Sequence, residues 1–445
     1  MAIFRKVKTG NTLEILIVLL VLLVTMIASQ VYQLHITYNN GQSFDGVFYY
    51  RVAYQFSEGM KASSEAPFVY RVGTPFLVAV FFKDNLLVGF KVINLIANVL
   101  AVILFVFWLR LFLNDWRIRT LLVVLFITQW HGPVRFTYYD PTYTDPWLFV
   151  FLLIGLIAIQ KIKSRPSFLA VGLLGLVSFI GVIFREVVLI IPIALAFIMN
   201  PVPLGQEMPF SSSISQAAKF MKRIYYPFLF PLLLGMAGFL VTRLVASQYN
   251  DYSFIKTALD WAYDKPLPTY IHAYFITYGP LLILVMYSWR SLFRFLRDNQ
   301  YMLVFLVGFM VLAWIGGSDT ERFLYWAMPV VYLLLGIAIQ ENTALLKSPW
   351  LILLLAGTTI CSQRLFWTVP DYPNPFITPV PILSILSNKF QYLDLWSWFA
   401  ARTIQEISLA EYLLLSAILL IGLRLRSNRI KPAGAKDENP STLMR

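Results

Sequence analysis

Apolar runs of roughly 15 to 25 residues, each long enough to cross about 30 Å of hydrocarbon, recur along nearly the whole chain. Inside lipid such a run has to be helical, because every backbone N–H and C=O needs a partner within its own segment. The composition agrees: the 445 residues are 58% hydrophobic and 13% charged, too apolar for a soluble domain. The sequence therefore predicts an all-α polytopic membrane protein. Its helices are expected near residues 13–33, 86–109, 120–133, 146–160, 167–184, 187–200, 225–247, 272–289, 300–315, 323–340, 349–363 and 411–424, about twelve spans in all. Residues 1–430 form a single transmembrane domain without an internal repeat, and 431–445 read as a disordered tail. The first run, Leu13 to Gln33, follows Arg5, Lys6 and Lys8. It is too long for a signal peptide and lacks an Ala-x-Ala exit, so it is expected to stay as the first helix.

The net charge of +13 sits in short alternating loops, which argues for membrane topology and against a nucleic-acid partner. These loops carry Arg110/Arg117/Arg119, Lys161/Lys163/Arg165, Lys219/Lys222/Arg223, Arg290/Arg294/Arg297 and Lys347, with Arg424, Arg426, Arg429 and Lys431 in the tail. The positive-inside rule then places both termini in the cytoplasm. Most carboxylates fall on the opposite side, as do His35, His131 and His272. A single cysteine, Cys361, rules out an intrachain disulfide and any cysteine-built metal site.

Two stretches on the acidic side are long: a first external loop over 34–85 and a late one over 364–410. Within the first, 67–82 is apolar but short, carries Arg71 and contains Pro75, so it is expected to lie on the membrane surface as an amphipathic helix. Upstream, a helix starting at Asp45 would group Tyr49, Val52 and Phe56 on one face and Arg51, Gln55 and Glu58 on the other.

Charge and aromatic residues meet where external loops join the membrane. Asp45 and Arg51 lie in "SFDGVFYYRVAYQF", and Arg71 follows. "HGPVRFTYYDPTYTDPW" holds His131, Arg135, Tyr139, Asp140 and Asp145; "GGSDTERFLYW" holds Asp319, Glu321 and Arg322. "FREVV" sets Arg185 and Glu186 in a hairpin with almost no loop, where unpaired charge costs several kcal/mol. The pair serves either a substrate or helix cohesion.

A carboxylate in a partly apolar pocket suits a general base, because desolvation raises its proton affinity. Asp45 fits best, although an aspartate opening a helix also serves as an ordinary N-cap. Arg71, Arg135, Arg185 and Arg322 are the candidates for a phosphate, which the planar guanidinium grips with two hydrogen bonds. Tyr49, His131, Tyr139, Asp140, Asp145, Glu186, Asp319 and Glu321 complete the expected substrate-binding set. The chain lacks a phosphate-binding Gly-rich loop with its Lys-Ser/Thr ending, an HExxH sequence and an external Asp-x-Asp. No metal or other cofactor is assigned, although Asp140 and Asp145 are of a type that holds divalent cations.

The segments "FDGVFYYRVA", directly after the first helix, and "PFVYRVGTPFLVAV" resemble the first external loop of membrane glycosyltransferases of the GT-C class, especially bacterial relatives of the PIG-V-type mannosyltransferases. The second acidic loop, "YYDPTYTDP", and "DTERFLYWAMP" are similar to later parts of that pattern. Arg71 precedes "GTP" where PIG-V-like enzymes tend to carry Pro-x-x-Pro, and the first loop lacks the adjacent acid pair of some relatives. The resemblance implies a catalytic base at Asp45 and juxtamembrane helices over 46–82. It also implies a polyprenyl-phosphate monosaccharide donor, a glycan, lipid or protein acceptor, and an extracytoplasmic site in a bacterial inner or plasma membrane. Two alternatives stay open: a polymerase or ligase using a polyprenyl-diphosphate glycan, and a flippase or transporter for lipid-linked sugar. A transporter is expected to bury polar groups near the bilayer midplane.

Overall fold

A computed structural model of the chain describes residues 9–129, 132–198, 224–362, 365, 368–369 and 402–430. His131, Lys219, Lys222 and Arg223, most of the 364–410 loop and the 431–445 tail lie outside the described residues.

All twelve expected positions carry helix, but several are shorter than a span. The elements run α1 (Thr9–Tyr32), α2 (Gly46–Ser57), α3 (Gly73–Phe81), α4 (Leu86–Arg110), α5 (Trp116–Thr128), α6 (Pro133–Tyr139), α7 (Asp145–Ser164), α8 (Phe168–Phe184) and α9 (Ile190–Leu195). There follow α10 (Leu229–Val245), α11 (Phe254–Asp264), α12 (Leu267–Tyr278), α13 (Leu282–Tyr287), α14 (Trp289–Asp298), α15 (Gln300–Ile315), α16 (Thr320–Tyr325), α17 (Met328–Glu341), α18 (Pro349–Ser362) and α19 (Arg402–Ile430).

Among the described residues, six helices are long and apolar enough to cross a membrane, or seven if α14 and α15, bent by 110° at their junction, count as one span. The protein is thus a multi-pass, mostly helical membrane protein, and among the described residues the expected twelve full spans are not reached. Four of the expected crossings lie in shorter apolar helices: Phe168–Phe184, Glu186–Leu195, Met328–Glu341 and Pro349–Ser362. Seventeen residues of α8 rise about 26 Å, short of the roughly 30 Å hydrocarbon core. Apolar composition along a chain does not register the breaks that end such helices.

The bundle packs around α4 and α7. Leu148, Phe149, Leu152 and Leu153 of α7 bury against Ala101, Val102 and Phe105 of α4 and against Phe126 of α5. Asn94 and Asn98 of α4 face inward and donate to the Pro141, Tyr143 and Pro133 carbonyls at 2.8–3.1 Å. The Pro141 and Tyr143 carbonyls lie in the turn between α6 and α7, where Asn94 supplies a partner that the turn itself does not. α1 exposes Leu16, Leu20, Leu23 and Ile27 and buries Val18 and Leu22, the pattern of a peripheral helix facing lipid.

At one end of the bundle Glu14, fully buried, accepts from Arg110 (2.9 Å) and Arg119 (2.7 Å), which ties α1 to α4 and α5. The loop between α1 and α4 covers the other end. There α2 buries Tyr49, Val52 and Ala53. α3 turns Gly73, Thr74, Val78 and Ala79 inward and exposes Phe76, Val80 and Phe81. β1 (Ala62–Ser64) pairs in parallel with β2 (Ala246–Gln248), Ala62 opposite Ala246, and so anchors this loop to the end of α10.

Candidate functional site

Side chains from five separated stretches converge beneath that loop. Asp145 lies at the first position of α7 and is completely buried. It accepts from Arg322 twice, Nη2 to Oδ1 at 2.9 Å and Nε to Oδ2 at 3.0 Å, and from the Trp326 indole N–H at 2.6 Å. Arg185, at the junction after α8, also donates to Asp145 and adds a 3.2 Å bond to Thr144. Its guanidinium lies 4.4 Å from the Trp326 ring centre. One carboxylate thus holds two cations, which is what makes burial of both tolerable.

Arg322, one turn into α16, reaches outward as well. Its Nη1 donates to Asp45 at 3.2 Å and to Asp319 at 3.1 Å. Tyr143 covers the guanidinium, 4.5 Å from ring centre to carbon. Asp45 therefore stands at the N-cap position of α2 but makes no capping bond; its carboxylate is committed to Arg322. Among the described residues Asp45 Oδ1 accepts no hydrogen bond, and a third of the side chain stays accessible. Burial among its neighbours, and then the charge of Asp319, push the Asp45 pKa up against the opposing pull of Arg322 and Arg71.

A second ion pair adjoins the first. Arg71, ahead of α3, donates through Nη2 to Glu186 Oε1 at 2.6 Å and through Nε to Glu186 Oε2 at 3.1 Å, and its Nη1 donates to the Tyr49 hydroxyl at 2.9 Å. The adjacent Arg185 and Glu186 thus pair with different partners, Asp145 and Arg71, and stitch the α8–α9 hairpin to two other elements. Asp140 is the next layer in. It accepts from Ser43 at 2.7 Å and from the Thr142 amide and hydroxyl at 3.1 and 2.7 Å. Burial nevertheless raises its pKa to about 6.

The structure thus brings together Asp45, Tyr49, Arg71, Asp140, Asp145, Arg185, Glu186, Asp319 and Arg322 of the expected residues. Arg135 is not brought in: its Nη1 donates to the carbonyls of Thr128 and Leu365, both 2.8 Å away. Tyr139 packs its ring on Phe136, 5.5 Å between centres, and is buried. Glu321 is buried at the start of α16, where its charge acts on Lys265. His131 lies outside the described residues. Among the described residues no group of three or more His, Cys, Asp or Glu has a geometry to hold a metal ion; of the two acids named as a cation pair, Asp140 is engaged by Ser43 and Thr142, and Asp145 by Arg185, Arg322 and Trp326.

Sequence reasoning missed Ser43, Thr142, Tyr143, Trp326 and Lys265. The first four lie in the stretches that carry Asp45, Asp145 and Arg322, where alternation of acid and aromatic residues was the available signal. Lys265, at the end of α11, had none. Its ammonium donates to the Ala313 and Gly317 carbonyls at 2.6 and 2.7 Å and so fixes the turn that presents Asp319. Burial lowers its pKa to about 8, against the pull of Glu321 and Asp319.

These features define the class: a multi-pass helical membrane protein with a charged, partly accessible cluster roofed by the loop between its first two long helices. No protein-family model, curated protein or solved structure matches the chain.

Proposed function

We propose that the chain is a membrane glycosyltransferase of the GT-C type, moving a monosaccharide from a polyprenyl phosphate to an acceptor hydroxyl with inversion. The observation that carries the reading is Asp45: an accessible carboxylate with raised proton affinity, one oxygen 3.2 Å from the Arg322 guanidinium and the other without a hydrogen bond among the described residues. Asp45 takes the acceptor proton while the acceptor oxygen bonds to the anomeric carbon. The bond from that carbon to the phosphate oxygen breaks, and its electron pair leaves on the lipid phosphate. Arg322 and Arg71, the two guanidiniums nearest the accessible carboxylates, hold that phosphate as its charge grows. Arg185, buried beneath Asp145, orients Asp145 and Arg322. The resemblance of "FDGVFYYRVA" to the first external loop of that class supports the reading as analogy.

The site end is assigned to the extracytoplasmic face and both termini to the cytoplasm. This is supported by Arg110, Lys161, Lys163, Arg290, Arg294 and Arg297, which gather at the opposite end of the bundle.

Asp45→Asn tests the proposal in membranes supplied with radiolabelled polyprenyl-phosphate sugar. Loss of the base is expected to cut transfer by at least about 100-fold, with donor binding and thermal stability near wild type. In the wild type, activity is expected to fall as pH drops through an Asp45 pKa above the ordinary carboxylate range. Transfer above half of wild type in Asp45→Asn refutes the reading, as does translocation of the lipid-linked sugar across proteoliposomes without bond formation.

A further inference from the structure

The end of the bundle remote from Asp45 carries a second constructed surface, α14. The helix α7 starts at Asp145 and reaches Lys163 about 27 Å further along its axis. There Lys163 donates to the Asp298 carbonyl at 2.6 Å and to the Asn299 side chain at 2.8 Å, just where α14 ends. Ser291 donates to Glu341 at 2.5 Å, Asn342 donates to Ser288 at 2.7 Å, and Phe295 packs edge-on against Phe112. α14 is therefore tied to the far ends of α7, α17 and α4, and its 110° bend to α15 lays it across the bundle rather than along it.

Successive residues of a helix turn by about 100°, which sorts the ten residues of α14 into sectors. Leu292 and Leu296 are buried against the protein. Next around the helix come Trp289 and Phe293, 59% and 42% exposed, and beyond them the exposed row Arg290, Arg294 and Arg297. Among the described residues only Arg297 has a carboxylate within ion-pair distance, the exposed Asp298 at 3.6 Å. A helix that passes from protein contact to exposed aromatics to arginines has the order of a helix seated at a bilayer surface. The rings enter the acyl boundary and the cations reach the headgroups.

We infer that α14 is a binding site for anionic phospholipid headgroups in the leaflet opposite the Asp45 site. Arg290 and Arg294 supply forked donors to the phosphate, and the excess positive charge selects lipids without a compensating cation. The inference rests on the membrane class alone and is independent of the glycosyl-transfer reading.

The test uses the full chain in vesicles of phosphatidylcholine with or without phosphatidylglycerol. A bimane probe at Phe293→Cys, in a Cys361→Ser background, reports depth, and spin-labelled lipids report headgroup preference. We expect shallow lipid nitroxides to quench the probe and iodide to leave it bright. We also expect a preference for phosphatidylglycerol that weakens in about 0.5 M salt. Each arginine is expected to contribute up to about fivefold, so Arg290→Gln/Arg294→Gln/Arg297→Gln abolishes most of the preference while Arg402→Gln leaves it intact. A probe quenched by iodide and untouched by lipid nitroxides, as a docking face for a soluble protein would give, overturns the inference. So does a preference that survives both high salt on the wild type and the triple substitution.

Discussion

Asp145→Asn strikes the carboxylate that holds two buried arginines of the site. In the native structure Asp145 receives two bonds from Arg322, one from Arg185 and one from Trp326, all without solvent contact on its side. Asparagine fills the same volume and can still accept the indole N–H, but it leaves Arg185 without its counter-charge. Arg322 keeps Asp45 and Asp319; Arg185 keeps only the Thr144 hydroxyl and the Trp326 face. Breaking a buried ion pair from one side costs about 3–5 kcal/mol, a drop of roughly 10²- to 10⁴-fold in the folded-to-unfolded ratio. Because large membrane proteins unfold irreversibly, the measurement is the half-life of monodisperse protein in detergent at a fixed temperature. The single variant should inactivate far faster than wild type. The double variant Asp145→Leu/Arg185→Met removes both charges and should recover at least half of the loss, because an apolar pair needs no counter-ion. A single variant as durable as wild type, or a double variant worse than the single, refutes the claim that Asp145 holds the two arginines in place.

Two further outcomes follow from the same geometry. The Asp140 pKa of about 6 in the folded protein, against 3.8 for the free group, makes its contribution to stability full below about pH 4 and lost as pH rises through 6. The span amounts to about 3 kcal/mol, and Asp140→Asn should flatten that part of the stability–pH curve, as seen in the detergent half-life measured between pH 4 and 7. At Gly46 an added Cβ would collide with the Thr142 side chain, so Gly46→Ala should force α2 off the turn that carries Asp140. It should lower thermal stability and, on the proposed function, transfer activity with it, whereas the same change at Gly172, where a Cβ meets nothing, should alter neither.

Which parts of this were legible in the sequence follows from what a linear pattern records. Apolar runs located every expected helix, most of them to within several residues, because burial in lipid or core demands the same composition. They did not register where a run is broken. The turn between α12 and α13 at Gly279 costs no apolar residue and so looks continuous, whereas the basic stretch 290–298, expected as a loop, is the helix α14. Asp45, Arg71, Arg185 and Arg322 stood out because charge beside a membrane segment is costly unless partnered. The partners did not, since Arg71 meets Glu186 and Arg322 meets Asp45 across more than a hundred residues of chain. Arg135 shows the converse. Its position beside two aspartates marked it for the cluster, yet backbone carbonyls claim it, and no local pattern distinguishes a guanidinium that caps a turn from one that binds an anion.

The pairings also say how a phosphate enters a site whose arginines are already engaged. Arg71, Arg185 and Arg322 face Asp45, Asp145, Asp319 and Glu186, so the resting cluster carries more carboxylates than cations. A further anion is repelled unless a carboxylate gives up its charge. On the proposed reaction Asp45 does so at the moment of transfer. As it takes the acceptor proton, its hold on Arg322 Nη1 weakens, and the leaving phosphate gains the negative charge that Nη1 can then bind. Asp319 shares that same nitrogen at 3.1 Å, and its charge is one of the influences that raise the proton affinity of Asp45. Asp319→Asn removes the repulsion and leaves Nη1 to Asp45 alone, and both effects lower the Asp45 pKa. The acid limb of the pH–rate profile should therefore move to lower pH in Asp319→Asn, and the plateau rate should fall because a weaker base, more tightly held, accepts the proton less readily. A limb that stays in place, or moves up, would show that Asp45 and Asp319 do not compete for one guanidinium during the reaction.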